Sequence, residues 1–248
     1  MIYLKSKREI ELMKEAGQVT AQILSAVSKL VAPGIETREL DAEAERLCKQ
    51  MGAKPAFKGY HDFPCTLCVS VNDEVVHGIP SNRKIKTGDI VSLDFGVIVA
   101  GFYGDSAVTV PVGSVDPEIA RLLNVTKESL SIGIKNAVIG NRIFDISNSI
   151  QNFVEQAGFS VVREFVGHGI GRNLHEEPQV PNFGPKGKGI PLKEGMVIAI
   201  EPMINSGDRH VKVLDDGWTA VTVDGSWSAH FEHTVAITAA GPEILTWI

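Results

Sequence analysis

Asp94 and Asp105 stand on two strand-like runs, Ile90–Val99 and Phe102–Val110, joined by a turn near Ala100-Gly101. Alternation sends Ser92, Asp94 and Gly96 to one face of the first run and Leu93 and Phe95 to the other. A turn centred on residues 100–101 sets Asp94 opposite Ala107, with Asp105 one diagonal step away on the same face. A turn one residue earlier makes the two aspartates direct partners. Either register brings their Cβ atoms to about 5–8 Å. Like charges facing each other on a strand pair are destabilising, so this arrangement calls for either a neutralising group or a solvated sheet face.

Three further residues carry the same chemistry. Glu201 ends the apolar run Met196–Ile200 and precedes Pro202. A carboxylate there needs a cation or a dense set of hydrogen bonds. Glu232 lies in Ala229-His230-Phe231-Glu232-His233-Thr234, where period two sends His230, Glu232 and Thr234 to one face. His168 is flanked by Gly167 and Gly169, a spacing that lets the chain pack tightly and the imidazole reach a fixed target. Four ionised carboxylates about 4 Å apart would repel by roughly 4 kcal/mol per pair at an effective dielectric near 20. Two divalent ions would cancel that charge, with a neutral imidazole completing the shell. Oxygen-rich ligation with one imidazole suits Co, Mn, Fe or Zn and excludes a cysteine-type structural zinc.

The elements that must position these groups are legible. Ser6 and Glu9 form a capping box ahead of a helix carrying Ile10, Met13, Ile23, Leu24 and Val27, ended by Pro33-Gly34. Further helices are expected over about 37–51, from Asp116-Pro117 through Leu130, and over about 144–157. Strand-like runs cover 66–71, 90–99, 102–110, 196–200, 219–223 and 231–238. The halves are alike. Gly34, Leu40 and Gly52 correspond to Gly140, Ile146 and Gly158 at an offset of 106, and Lys86–Asp94 matches Lys193–Glu201 at 107. His77-Gly78-Ile79 likewise echoes His168-Gly169-Ile170 at an offset of 91. Asp94 and Glu201 then occupy equivalent places in halves of roughly 1–112 and 113–248 within a single domain, 1–248.

Composition narrows the classes. The chain has 248 residues, 44% hydrophobic and 22% charged, an ordinary globular balance. A net charge of −6 argues against a nucleic-acid or anionic-membrane surface. There is neither an apolar run long enough to span a bilayer nor a signal-peptide core, and three cysteines are no disulfide framework. Cys65-Thr66-Leu67-Cys68 is a single pair on an expected strand, not a zinc or redox motif. A cytoplasmic monomer is expected.

With the Asp…Asp hairpin, the glycine-flanked His168, Glu201-Pro202 and Glu232 in order, the sequence resembles the type I methionine aminopeptidases, the short bacterial form, over essentially its whole length. His77-Gly78-Ile79-Pro80 and His175-Glu176-Glu177-Pro178 belong to the same likeness. The resemblance implies an α/β (α+β) pita-bread fold, two related halves around a central antiparallel sheet covered by helices. It implies removal of the initiator methionine from nascent chains, by attack of a metal-bridging water or hydroxide. By position, Asp94 is implied to hold one metal, His168 and Glu201 the other, with Asp105 and Glu232 bridging. Glu201 is implied as general base, His175 as the group stabilising the oxyanion, and His77 as a contact to the adjacent amide. Tyr60, Phe63, Cys68 and Trp218 match the methionine pocket. Leu174 stands where many bacterial members carry an aromatic, and Phe57 where many carry a cysteine, which bears on pocket shape. A monovalent ion near Asn72, Glu74 and Ser228 is a further expectation, as is transient ribosome docking, for which there is no basic tail.

Only 32 residues separate His168 from Glu201, too few for the insertion of the type II enzymes, and helix 1 starts almost at Met1. Two rivals remain: a proline-specific aminopeptidase or dipeptidase on the same scaffold, and a non-catalytic binding protein that lost its metals. The first usually carries a large extra N-terminal domain, whereas 93 residues precede Asp94 here. The second typically lacks several of the five ligands.

Overall fold

The computed structural model describes residues 2–247. Helix α1 (Lys7–Ser28) opens at the expected capping box, Ser6 Oγ accepting from the Glu9 amide while the Glu9 carboxylate accepts from the Ser6 amide. It is followed by α2 (Thr37–Gln50), β1 (Lys54–Pro55), β2 (Leu67–Val71), β3 (Glu74–Val76), β4 (Ile90–Val99) and β5 (Phe102–Pro111). The second half begins with α3 (Pro117–Lys135), capped by Asp116, and α4 (Ile143–Gln156). Then come β6 (Ser160–Val161), β7 (Gly167–Gly169), β8 (Glu176–Val180), β9 (Val197–Ile200) and β10 (Met203–Asn205). The chain finishes with β11 (Val211–Val213), β12 (Ala220–Thr222), β13 (Ser228–His230), β14 (Glu232–Thr238) and β15 (Gly241–Ile244).

A nine-stranded antiparallel sheet runs β1-β4-β5-β14-β9-β7-β8, with β2 also on β4 and β15 on β14. Two three-stranded sheets, β13-β10-β6 and β11-β12-β3, flank it. The β4–β5 hairpin closes through Ala100 (φ 50°) and Gly101 (φ 79°), both left-handed, the twist that a two-residue hairpin loop favours. That turn selects the first of the two registers: Asp94 opposes Ala107 and Gly96 opposes Asp105.

Leu93 and Phe95 on β4 pack with Ile23, Leu24 and Val27 of α1 and Leu40 and Ala44 of α2. The helices therefore cover one face of this part of the sheet and leave Ser92, Asp94 and Gly96 on the other. Gly104 lets α1 lie directly on β5, since a Cβ there would sit 2.8 Å from the Ala16 carbonyl carbon. One core cluster draws its buried members from Ile23 to Val112; another, apart from Ile90, draws them from Ile119 to Ile237. A third, including Met13, Phe63, Phe102, Ile170 and Ala236, joins the halves.

The strand expected over 231–238 is β14, which begins one residue later at Glu232. Ser228–His230 pairs with β10 in a separate sheet, and Phe231 is the joint at which the chain enters the large one. Because His230 and Glu232 lie in different sheets, one strand period does not run from His230 to Thr234, whose hydroxyl bonds to the β5 backbone. No helix among the described residues is long and apolar enough to cross a membrane.

Candidate active site

Register builds an acidic row across four strands. Cys68 pairs with Asp94, Asp94 with Ala107, and Ala107 with Glu232. Directly paired residues point to the same face, so Asp94 and Glu232 look out on either side of one small methyl. Asp105 stands one diagonal step away.

Only two residue pairs join β5 to β14, and hydroxyl groups complete the seam. Thr234 Oγ1 donates to the Asp105 carbonyl at 2.8 Å and accepts from the Asp105 amide at 3.1 Å. Ser106 Oγ donates to the Glu232 carbonyl at 2.7 Å. Thr109 Oγ1 donates to the His230 carbonyl and accepts from its amide, both at 2.8 Å.

His168 arrives on β7, between glycines that have no alternative: a Cβ on Gly167 would strike the Ala199 carbonyl, and one on Gly169 the Glu177 carbonyl. Its Nδ1 lies 2.9 Å from the Gly169 carbonyl and must donate to it, which leaves the lone pair on Nε2. That nitrogen is 3.5 Å from Glu201 Oε1 and 3.9 Å from Asp105 Oδ2. Asp105, His168 and Glu232 each offer a ligand atom, all within 4.8 Å of one another. Asn182 donates to the Glu201 carbonyl at 3.0 Å and fixes the strand end.

The cluster is electrostatically uncomfortable on its own. Asp94 Oδ1, Asp105 Oδ1 and Glu232 Oε1 are buried with no hydrogen-bond partner. Desolvation pushes Glu201 up to about 8 and, with the Glu201 charge added, Asp94 up to about 7. Asp105 and Glu232 are raised well above the ordinary carboxylate range, by burial first and by their acidic neighbours next. Burial lowers His168 to about 3, so its imidazole is neutral and free to ligate at pH 7. Orphaned carboxylate oxygens around a neutral imidazole fit divalent-metal ligation.

The row forms the floor of a cavity of about 350 Å³. All eleven residues expected from the sequence line it: Asp94, Asp105, His168, Glu201, Glu232, His77, His175, Tyr60, Phe63, Cys68 and Trp218. Phe57 and Leu174 line it too. The Tyr60 hydroxyl and His175 Nδ1 share a 2.8 Å hydrogen bond, and the His175 ring stands edge-on to His168, centroids 4.3 Å apart. His77 adopts φ 60°, a left-handed conformation costly for a non-glycine residue. It sits between Phe165 and Trp218, and burial lowers it to about 4.

Two neighbours were not singled out in the sequence. His61, left-handed at φ 47°, lines the cavity. His230, fully buried with neither ring nitrogen bonded, lies 3.6 Å from Glu201 Oε2. Its place two residues before Glu232 was the available signal. Asn72 and Ser228 do meet, the Ser228 amide donating to the Asn72 carbonyl at 2.9 Å, a contact that supplies no cation cage by itself.

A curled antiparallel sheet with helices on one face and this acidic row on the other is the pita-bread architecture of a class of metallopeptidases. The model of metallopeptidase family M24 matches residues 11–239. A methionine aminopeptidase of Clostridium perfringens is 54% identical over 248 residues, the whole of both chains. The crystal structure of a methionine aminopeptidase from Thermotoga maritima superposes with a TM-score of 0.98, at 50% identity over all of both chains. A prolidase from Pyrococcus furiosus superposes at 0.79 with 25% identity, this chain covering 65% of it. The chain belongs to metallopeptidase family M24, and within it to the methionine aminopeptidases.

Proposed function

We propose that the chain hydrolyses the peptide bond after an amino-terminal methionine when the second residue is small. The observation that carries this reading is the set of partnerless buried carboxylate oxygens beside a neutral imidazole, on the floor of a largely apolar cavity. Two divalent cations (Co, Mn, Fe or Zn) fit these groups. Asp94 would hold one, His168 and Glu201 the other, with Asp105 and Glu232 shared. When bound, such a pair acidifies a water to near neutrality and polarises a carbonyl.

The chain's own groups do the rest. Glu201 takes up the proton released by the attacking water, its Oε1 standing 3.5 Å from His168 Nε2 on the cavity floor. In the tautomer this role requires, the Tyr60 hydroxyl donates to Nδ1 and neutral His175 keeps its proton on Nε2 for the oxyanion that develops at the scissile carbonyl. His77 contacts the neighbouring amide. Tyr60, Phe63, Cys68 and Trp218 pack around the methionine thioether, with Phe57 and Leu174 closing the pocket. His77 and Trp218 pack edge to face, ring centroids 6.3 Å apart, into one rigid wall that restricts the room for the second residue.

We read residues 1–248 as one catalytic domain of two related halves, 1–112 and 113–248, a division that the separate cores favour. Nascent chain ends are its substrates. A cytoplasmic monomer suits three unpaired cysteines. The metal-loaded protein should release methionine from Met-Ala-Ser about a hundredfold faster than from Met-Lys-Ser, and lose that activity to a chelator. Equal rates on both peptides, or turnover of X-Pro dipeptides, would replace this reading with another.

A further inference from the structure

We propose that Lys5 is a positioning residue for His175, acting through Glu176; this rests on the oxyanion role given to His175 above. Residues 171–175 form an irregular loop between β7 and β8 that ends at His175. The amides of Arg172 and Asn173 both donate to one atom, Glu176 Oε1, at 2.9 and 3.1 Å. Glu176 Oε2 accepts from Lys5 Nζ at 2.7 Å. Both side chains are almost dry, 6% exposed for Lys5 and 5% for Glu176.

The pair is built in from several directions. The Lys5 amide donates to the Gly195 carbonyl at 2.7 Å, which anchors the segment ahead of α1. A Cβ on Gly171 would lie 2.5 Å from Lys5 Cε and 2.8 Å from Glu176 Oε1, so a larger residue there would have to push the paired side chains aside. A Cβ on Gly195 would lie 2.7 Å from the Lys5 carbonyl oxygen. By contrast the Arg172–Glu9 contact, at 3.3 Å, is on the surface, where an ion pair holds little.

Removing one partner of a buried ion pair leaves the other charge uncompensated. Without Lys5, Glu176 turns toward water and releases the two loop amides. His175 then loses its fixed station beside Tyr60 and His168, and a displacement of about 1 Å at a catalytic group costs up to ~10²-fold in rate. The proposed ligands stand on β4, β5, β7 and β14 and, for Glu201, directly after β9, outside the 171–175 loop, so the cation site is expected to stay in place.

The test compares Lys5→Met, which keeps the stem and removes the charge, with Lys5→Arg, both metal-loaded. Lys5→Met should lower kcat on Met-Ala-Ser roughly tenfold or more, with KM and metal content within about twofold. Its His175 imidazole resonances, read by ¹⁵N NMR without substrate, should shift. Lys5→Arg should recover kcat to within about threefold and restore the resonances. A folded Lys5→Met with unchanged kcat and resonances would overturn the proposal, as would Lys5→Arg as impaired as Lys5→Met. If Lys5→Met does not fold, Glu176→Gln, which keeps an amide acceptor and removes the ion pair, is read the same way. If the unmodified protein releases no methionine, the catalytic reading fails, while the His175 resonances still decide whether Lys5 positions that ring.

Discussion

Asp94 and Asp105 sit on a hairpin of ten consecutive residue pairs closed by its own left-handed turn, whereas β14 meets β9 through four pairs and β5 through two. Glu201 and Glu232 stand where the chain leaves or enters the large sheet, next to Pro202 and Phe231. The hairpin sets its aspartates by local geometry. The second half sets Glu232 through hydroxyls bonded across a seam and Glu201 at a strand end held by the Asn182 amide, so a single methyl-for-hydroxyl exchange at the seam can move a carboxylate.

The largest effect tests whether both halves feed one site. Asp105→Ala and Glu232→Ala should each abolish tight binding of a metal pair and lower activity by ~10³-fold or more, read by metal stoichiometry and methionine release. Full metal content in either variant would break the comparison, because that half would then not be needed. An intermediate effect separates seam from hairpin. Thr234→Val removes both ties to the Asp105 backbone and should weaken metal affinity about tenfold, with stability lower by roughly 1–2 kcal/mol. Ser92→Ala, on the hairpin, should leave metal affinity within about twofold.

The smallest effect is a dependence on pH in the metal-free protein. Burial holds Glu201 at about 8 and Asp94 at about 7, above their ordinary values of 4.5 and 3.8. The folded state therefore takes up protons between pH 8.5 and 6.5 that the unfolded chain does not. Stability should rise as pH falls through that window, on the order of 1–2 kcal/mol or several degrees of Tm, and be lost as pH rises. The buried histidines work in the opposite sense only below about pH 6.5. Metal-loaded protein should show the reverse slope in the same melting experiment, since protons compete with cations for the ligands.

The same contrast explains what could be read in the sequence. The helices, their caps and the β4–β5 hairpin follow from patterns a few residues long, and even the register was narrowed to two choices. Ala100-Gly101 decided between them by backbone conformation. Strands of two or three residues such as β7, β10 and β13 have no periodicity to detect. His230 reaches Glu201 only because β13 pairs with β10, and Lys5 reaches Glu176 across 171 positions of chain. The Lys5 contact belongs to the assembled fold and leaves no local signature, and for His230 the one signal was its place two residues before Glu232. The five proposed ligands stood out in the sequence because carboxylates on or at the ends of largely apolar runs, and an imidazole between glycines, have little else to do.

The most direct test is to titrate the metal-free protein with Mn or Co and to locate the bound ions by anomalous diffraction. The account expects two ions per chain, bound between Asp94, Asp105, His168, Glu201 and Glu232. A saturated protein holding no ion there, or holding its ions elsewhere while still releasing methionine, would contradict it.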